Sequence, residues 1–148
     1  MTGNNKKGIT LLIAVLTSSL LLAITLSIFS ITIKELQISA SSRESHKAFY
    51  AADAGIECAL YWDFVENAFA TSTTKTIRCN KQTFPNMGGV DGQSQFTIDF
   101  SGNDVPDPAS AEVTVDKNPD MSTVIEGRGY NTSQVGGRRT ERGIRVQY

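Results

Sequence analysis

Apolar and polar positions are distributed very unevenly along the chain. Residues 9–33, ITLLIAVLTSSLLLAITLSIFSITI, form a run of 25 residues with no charge, proline or glycine. As a helix this run would extend about 37 Å at about 1.5 Å per residue, enough to cross a bilayer core with some tilt. From Lys34 the all-round apolar character gives way to a stripe. Phe49, Ala52, Ile56, Leu60 and Phe64 recur every three or four residues, while the other face carries Arg43, Glu44, Lys47, Glu57 and Glu66. That period predicts that the helix continues, apolar on one face and solvated on the other, to about residue 70. The cluster TSTT at residues 71–74 then stops it.

Beyond residue 74 the period shortens to two. Strands are predicted at residues 75–79, 95–100, 111–115, 122–130 and 143–148, with PNMGGVDGQ, SGNDVPDP, KNPD and NTSQVGG as the loops and turns between them. Phe96, Ile98 and Phe100 share a face, as do Val113 with Val115, and Ile144 and Val146 with Tyr148. Short alternating strands separated by turn residues predict an antiparallel meander. Such a sheet has one apolar face and cannot stand alone at this size. The stripe from Phe49 to Phe64 is the other large apolar surface outside the membrane run. The expected class is therefore α+β: a long N-terminal helix, membrane-spanning in its first half, packed by its second half on a small antiparallel β-sheet head. The expected divisions are 1–8, 9–33, 34–70 and 71–148.

Composition narrows the picture. A length of 148 residues suits one domain, with 115 residues left from Lys34 onward. Fourteen Lys and Arg balance 15 Asp and Glu, so net charge alone points to no polyanionic partner. Mean hydropathy is −0.17 in spite of the apolar run, so the remainder is distinctly polar. Lys6 and Lys7 precede the run at its short end, which predicts a cytoplasmic N-terminus and a bulk outside. A cleaved secretory signal fits poorly, because the run is too long for its apolar region and no small-x-small site closes it.

The junction KKG before ITLLIAVL, with Gly8 abutting the apolar helix, resembles the class III leader of type IV pilins and pseudopilins. The resemblance implies cleavage by a prepilin peptidase between Gly8 and Ile9, and N-methylation of Ile9. A second segment, HKAFYAADAGIECAL at residues 46–60, resembles the FxAAEAGL-like segment of PilX-type minor pilins through Phe49, Ala51, Ala52, Asp53, Ala54, Gly55 and Ile56. Small residues beside an aromatic let a helix lie close against a neighbour. The chain departs from most pilins at the fifth mature position, where Ile13 replaces a glutamate. PilX-type minor pilins and the K-type tip pseudopilins of type II secretion also lack that glutamate. The resemblance covers about residues 6–64. It implies a structural subunit of a type IV pilus or related filament, at or near the tip, with other pilin subunits as partners of the apolar helix. A type II secretion pseudopilin and a permanently anchored surface adhesion module are the alternatives.

Cys58 on the helix and Cys79 on the first strand lie 21 residues apart. Outside the membrane an oxidised pair would pin the helix end to the sheet; two buried thiols are the other reading. Charge in the sheet region is uneven: residues 91–120 carry seven acids and one lysine, residues 125–148 five arginines and two glutamates. Arg138, Arg139, Arg142 and Arg145 could meet DNA phosphates or another acidic surface. Alternatively, Arg128 and Arg145 pair across the sheet with Asp99, Glu112 or Asp116. Asp99, Asp104 and Asp107 invite a calcium reading but do not match the EF-hand pattern. One histidine and two cysteines leave little for a metal, and no phosphate loop or nucleophile elbow is present, so neither enzyme, cofactor nor small-molecule substrate is expected. Asn131-Thr132-Ser133 fits the glycosylation sequon.

Overall fold

The computed structural model describes residues 5–89, 91–101, 107–134 and 139–148, with side chains from Gly8 onward. It is an α+β fold. Helix α1 runs from Asn5 to Glu66, and six strands follow: β1 Thr74–Cys79, β2 Gln82–Gly88, β3 Gln93–Asp99, β4 Ser110–Lys117, β5 Thr123–Tyr130 and β6 Glu141–Gln147. They form a two-stranded sheet, β1-β2, and a four-stranded meander in the order β3-β4-β5-β6, all antiparallel. The chain divides into two compact units, Met1–Ser41 and Ser42–Tyr148, and the boundary falls within α1.

The helix ends four residues earlier than the sequence predicts. Asn67 turns left-handed at φ 48°, its N–H still bonded to Asp63 O, and the N–H of Ala68 folds back onto Trp62 O. Asparagine tolerates that conformation, which makes it an effective helix terminator. The turn drives Ala68 and Phe69 into the core, where Phe69 stacks on Phe96 with ring centroids 6.3 Å apart.

Strand β2 occupies part of what reads as the loop PNMGGVDGQ. Lys75 pairs with Met87 and Ile77 with Phe84, so Pro85 and Asn86 together oppose Thr76 in a bulge. A bulge is where a strand tolerates a residue without an N–H, and Asn86 takes φ 59° there. Asn80 and Lys81, both left-handed, close the β1–β2 hairpin in two residues.

The helix face that meets the sheet differs from the predicted stripe. Ala52 and Ile56 are buried as expected and Leu60 is half-buried, but Phe49 and Phe64 are 44% and 68% exposed. Ala48, Ala51, Gly55, Ala59 and Asp63 take the buried positions instead. The reason lies on β5. A Cβ added at Gly129 would stand 2.0 Å from Ala48 O and 2.4 Å from Ala52 N; one at Gly127 would meet Ile56 Cγ1 at 2.7 Å. At Gly129 backbone approaches backbone so closely that the facing helix positions are alanines, Ile56 is accommodated only because Gly127 lacks a Cβ, and the phenylalanines lie on the flanks.

Candidate functional site

Within the Met1–Ser41 unit, every described residue from Gly8 onward is exposed. Fifteen large aliphatic and aromatic side chains between Ile9 and Ile33 stand more than two-fifths exposed, Leu11 at 69% and Phe29 at 65% among them. An apolar surface this extensive does not persist in water. The helix is long and apolar enough to cross a membrane, with a mean hydropathy of 2.5 in its most apolar window. Its hydroxyls are compatible with hydrocarbon. Thr17, Ser18, Ser19 and Thr25 donate to carbonyls three residues back, and Ser27 and Thr32 to carbonyls four back, at 2.9–3.1 Å. Gly8 and Ile9 lie within α1 and are exposed, with nothing near Gly8. Glycine costs a helix interior about 1 kcal/mol relative to alanine, so α1 is locally weak at this junction.

In the Ser42–Tyr148 unit a disulfide joins Cys58 to Cys79, with Cα atoms 6.1 Å apart. Beside it Trp62 Nε1 donates to Arg78 O at 3.0 Å, so helix and β1 are fastened at two adjacent points.

The tail arginines do not form one basic surface. Alternation along β6 places Arg142 and Arg145 on opposite faces of the sheet. Arg142 Nε donates to Ser45 Oγ on the helix at 2.7 Å, whereas Arg145 pairs with Glu126 on the outer face at 3.5 Å. Arg139 lies over the Tyr130 ring, 3.5 Å from its centroid. Arg138 lies outside the described residues. Of the cross-sheet alternatives, Arg145 has taken Glu126 rather than Asp99, Glu112 or Asp116, and Arg128 stands opposite Glu112 in the ladder.

The acidic residues are equally dispersed. Asp99 ends β3 and its carbonyl accepts from the Asn80 and Gln82 amides at 2.8 Å. The Asp107 carboxylate accepts from the Thr132 hydroxyl, and Asp104 lies outside the described residues. Among the described residues no group of three or more His, Cys, Asp and Glu is placed to hold a metal ion. His46 is exposed and stacks near Tyr50. Asn131 is only 6% exposed: its Nδ2 donates to Glu44 Oε2 at 2.9 Å and its Oδ1 accepts from Thr140 N at 2.7 Å. The sequon amide is therefore occupied by the fold.

A buried polar junction escaped the sequence reading. Asp63, 7% exposed, accepts from Lys117 Nζ at 2.6 Å and from the Tyr148 hydroxyl, and Lys117 Nζ also donates to Thr123 Oγ1 at 2.9 Å. Three elements, α1, β4 and β5, meet there with Tyr148, the residue that follows β6. Asp63 Oδ1 is buried with no hydrogen-bond partner among the described residues. Burial first, then the hydrogen bond to Asp63 and its charge, push the Tyr148 phenol well above its usual range. Burial and the charges of Glu141 and Glu112 likewise raise Tyr130. In the sequence Asp63 sits among aromatics on a helix, and nothing there distinguishes it from a solvated acid.

No known family model matches the chain, and no characterised protein or solved structure matches it either.

Proposed function

We propose that the chain is a minor pilin-like subunit of a type IV filament or a related machine. It would enter the membrane through residues 9–33, lose residues 1–8 after Gly8, and be drawn into a fibre where those apolar helices bundle. The observation that carries this reading is one uninterrupted helix with two kinds of surface. Its first part is apolar and wholly exposed, and its last turns are seated on a small sheet. The first part needs lipid or other apolar helices around it; a subunit that moves from bilayer to fibre has both in turn. No catalytic activity, cofactor or small-molecule substrate is part of the proposal.

Ile13 supports a position at or near the tip as part of this reading. In pilins with a glutamate at that mature position, the carboxylate is thought to meet the N-terminal amine of a neighbour. This chain has no acid between Ile9 and Ile33, so it can offer an amine to another subunit's glutamate but cannot neutralise an incoming one. A fibre made of this chain alone would bury an unpaired charge at every step.

Two measurements test the proposal. Mass spectrometry should find a mature N-terminus at methylated Ile9, and Gly8→Leu should leave an uncleaved precursor in the membrane; a normal mature mass in that variant sinks the leader assignment. Sheared surface filaments should contain the protein at far below stoichiometric amounts. Homopolymeric filaments would refute the tip position, and absence from every filament would favour the permanently anchored module. Recovery in secretion pseudopili would assign the type II alternative.

A further inference from the structure

A cavity of about 630 Å³ opens at one end of the β3–β4 pair, where Gln93 stands opposite Asp116 in the ladder. Asp91 and Asn118 join those two residues in its polar lining, and Pro119 and Met121 supply the apolar part. Neither Asp91 nor Asp116 has a hydrogen-bond or ion-pair partner among the described residues. The cation that lines the same space, Lys117, is already committed: its ammonium lies 2.6 Å from Asp63 and 2.9 Å from Thr123 Oγ1. Its lining therefore includes two acidic residues and two amides, and among the described residues its one cation is committed elsewhere. Met121 is 94% exposed and held at φ 68°, a backbone state that a side-chain-bearing residue adopts only under local constraint.

We propose that this cavity binds an alkyl guanidinium or alkyl ammonium group. The cationic head would meet Asp91 and Asp116, with N–H donors left over for the amide oxygens of Gln93 and Asn118. Its methylenes would lie against Pro119 and Met121. The space suits a ligand of several heavy atoms. A bare metal ion is too small for it, and no third acidic or imidazole ligand stands by among the described residues. A neutral sugar would find no aromatic ring in the lining to stack on. The cation could come from a free diamine or polyamine, or from an arginine side chain of another polypeptide; the chemistry recognised is the same. The site stands whether or not the chain polymerises.

The test uses the full chain in detergent micelles, with the methionine methyls ¹³C-labelled and Met121 assigned by substitution. Titration with agmatine should move the Met121 methyl resonance saturably. Asp91→Asn and Asp116→Asn should each weaken binding about tenfold or more, since a charge-assisted contact is lost. Neutral N-butylurea should leave the resonance unmoved. Asp91 lies on an exposed turn, so its variant carries the test even if Asp116→Asn does not fold. A non-saturating shift, an unchanged affinity in the folded variants, or an equal response to calcium ions would overturn the proposal. A blocked arginine tripeptide that binds tighter than agmatine would assign the site to a polypeptide partner. Weaker tripeptide binding would assign it to a free cation, and either result supports the site.

Discussion

Residues 9–33 and residues 48–63 belong to one helix and obey opposite rules. In the first stretch the largest apolar side chains are bare, Leu22 at 62% and Phe29 at 65%; in the second the buried positions are Ala48, Ala52 and Ala59, at 0%. Apolar size does not determine burial along α1. What determines it is how near a partner's backbone comes, and on β5 it comes within reach of the helix's own carbonyls at Gly127 and Gly129. The first stretch is generic, able to sit against lipid or any apolar helix. The second fits one sheet and no other.

The sharpest way to break that contrast is to add bulk to the seam. Gly129→Val puts side-chain atoms where Ala48 O and Ala52 N already stand, and the strand and helix must separate. We expect a loss of about 4 kcal/mol or more, followed by Trp62 fluorescence during chemical unfolding. A variant within about 1 kcal/mol of the parent would show that the seam has slack.

Next in size is the covalent fastening. Replacing both Cys58 and Cys79 by serine should cost about 2–4 kcal/mol, and non-reducing peptide mapping of the parent should recover the two cysteines in one linked pair. Free thiols in freshly alkylated protein would contradict the disulfide.

A smaller effect concerns pH. The Tyr148 phenol is held above its ordinary value in the folded chain by burial and by Asp63. Its contribution to stability is therefore complete below about pH 10 and is lost as pH rises toward the folded-state value. Tyr148→Phe should flatten this alkaline fall in unfolding temperature. An unchanged alkaline limb would mean that the phenol is not coupled to folding.

The smallest expected effect sharpens the comparison from the other side. Leu22→Ala removes more apolar volume than any change at the seam, yet should alter the unfolding of the Ser42–Tyr148 unit by less than about 0.5 kcal/mol. A larger loss would give the first stretch a part in that unit's core.

The same contrast explains what could be read in advance. The 25-residue run and the meander strands carry strong local signals, unbroken apolarity and alternation, whereas the two cysteines alone left an oxidised pair and two buried thiols both open. The pairing face of α1 does not. Phe49 and Phe64 dominate a hydropathy reading, while the actual contact is written in absences of side chain at Ala48, Gly55, Ala59, Gly127 and Gly129. Glycine at alternate positions of β5 together with alanine at i and i+4 of the helix was the available clue. Strand β2 was hidden because Pro85, Asn86 and Gly88 are turn residues by chemistry and strand residues only through a bulge. The arginine cluster looked continuous because sequence proximity conceals the two-faced alternation of β6. Asp63 was invisible because its partners, Lys117 on β4 and Tyr148 just beyond β6, lie 54 and 85 residues away in the chain.

The occupied amide of Asn131 has a consequence for the order of events in the chain's life. Once Glu44 and Thr140 have closed on that side chain, an oligosaccharyltransferase can no longer take hold of its nitrogen. A sugar at Asn131 would therefore have to be attached before helix and strands come together, and once there it would block the contact between Asn131 and Glu44. The sequon would then act as a clock, and any glycosylated molecules would be those that met the transferase before they folded.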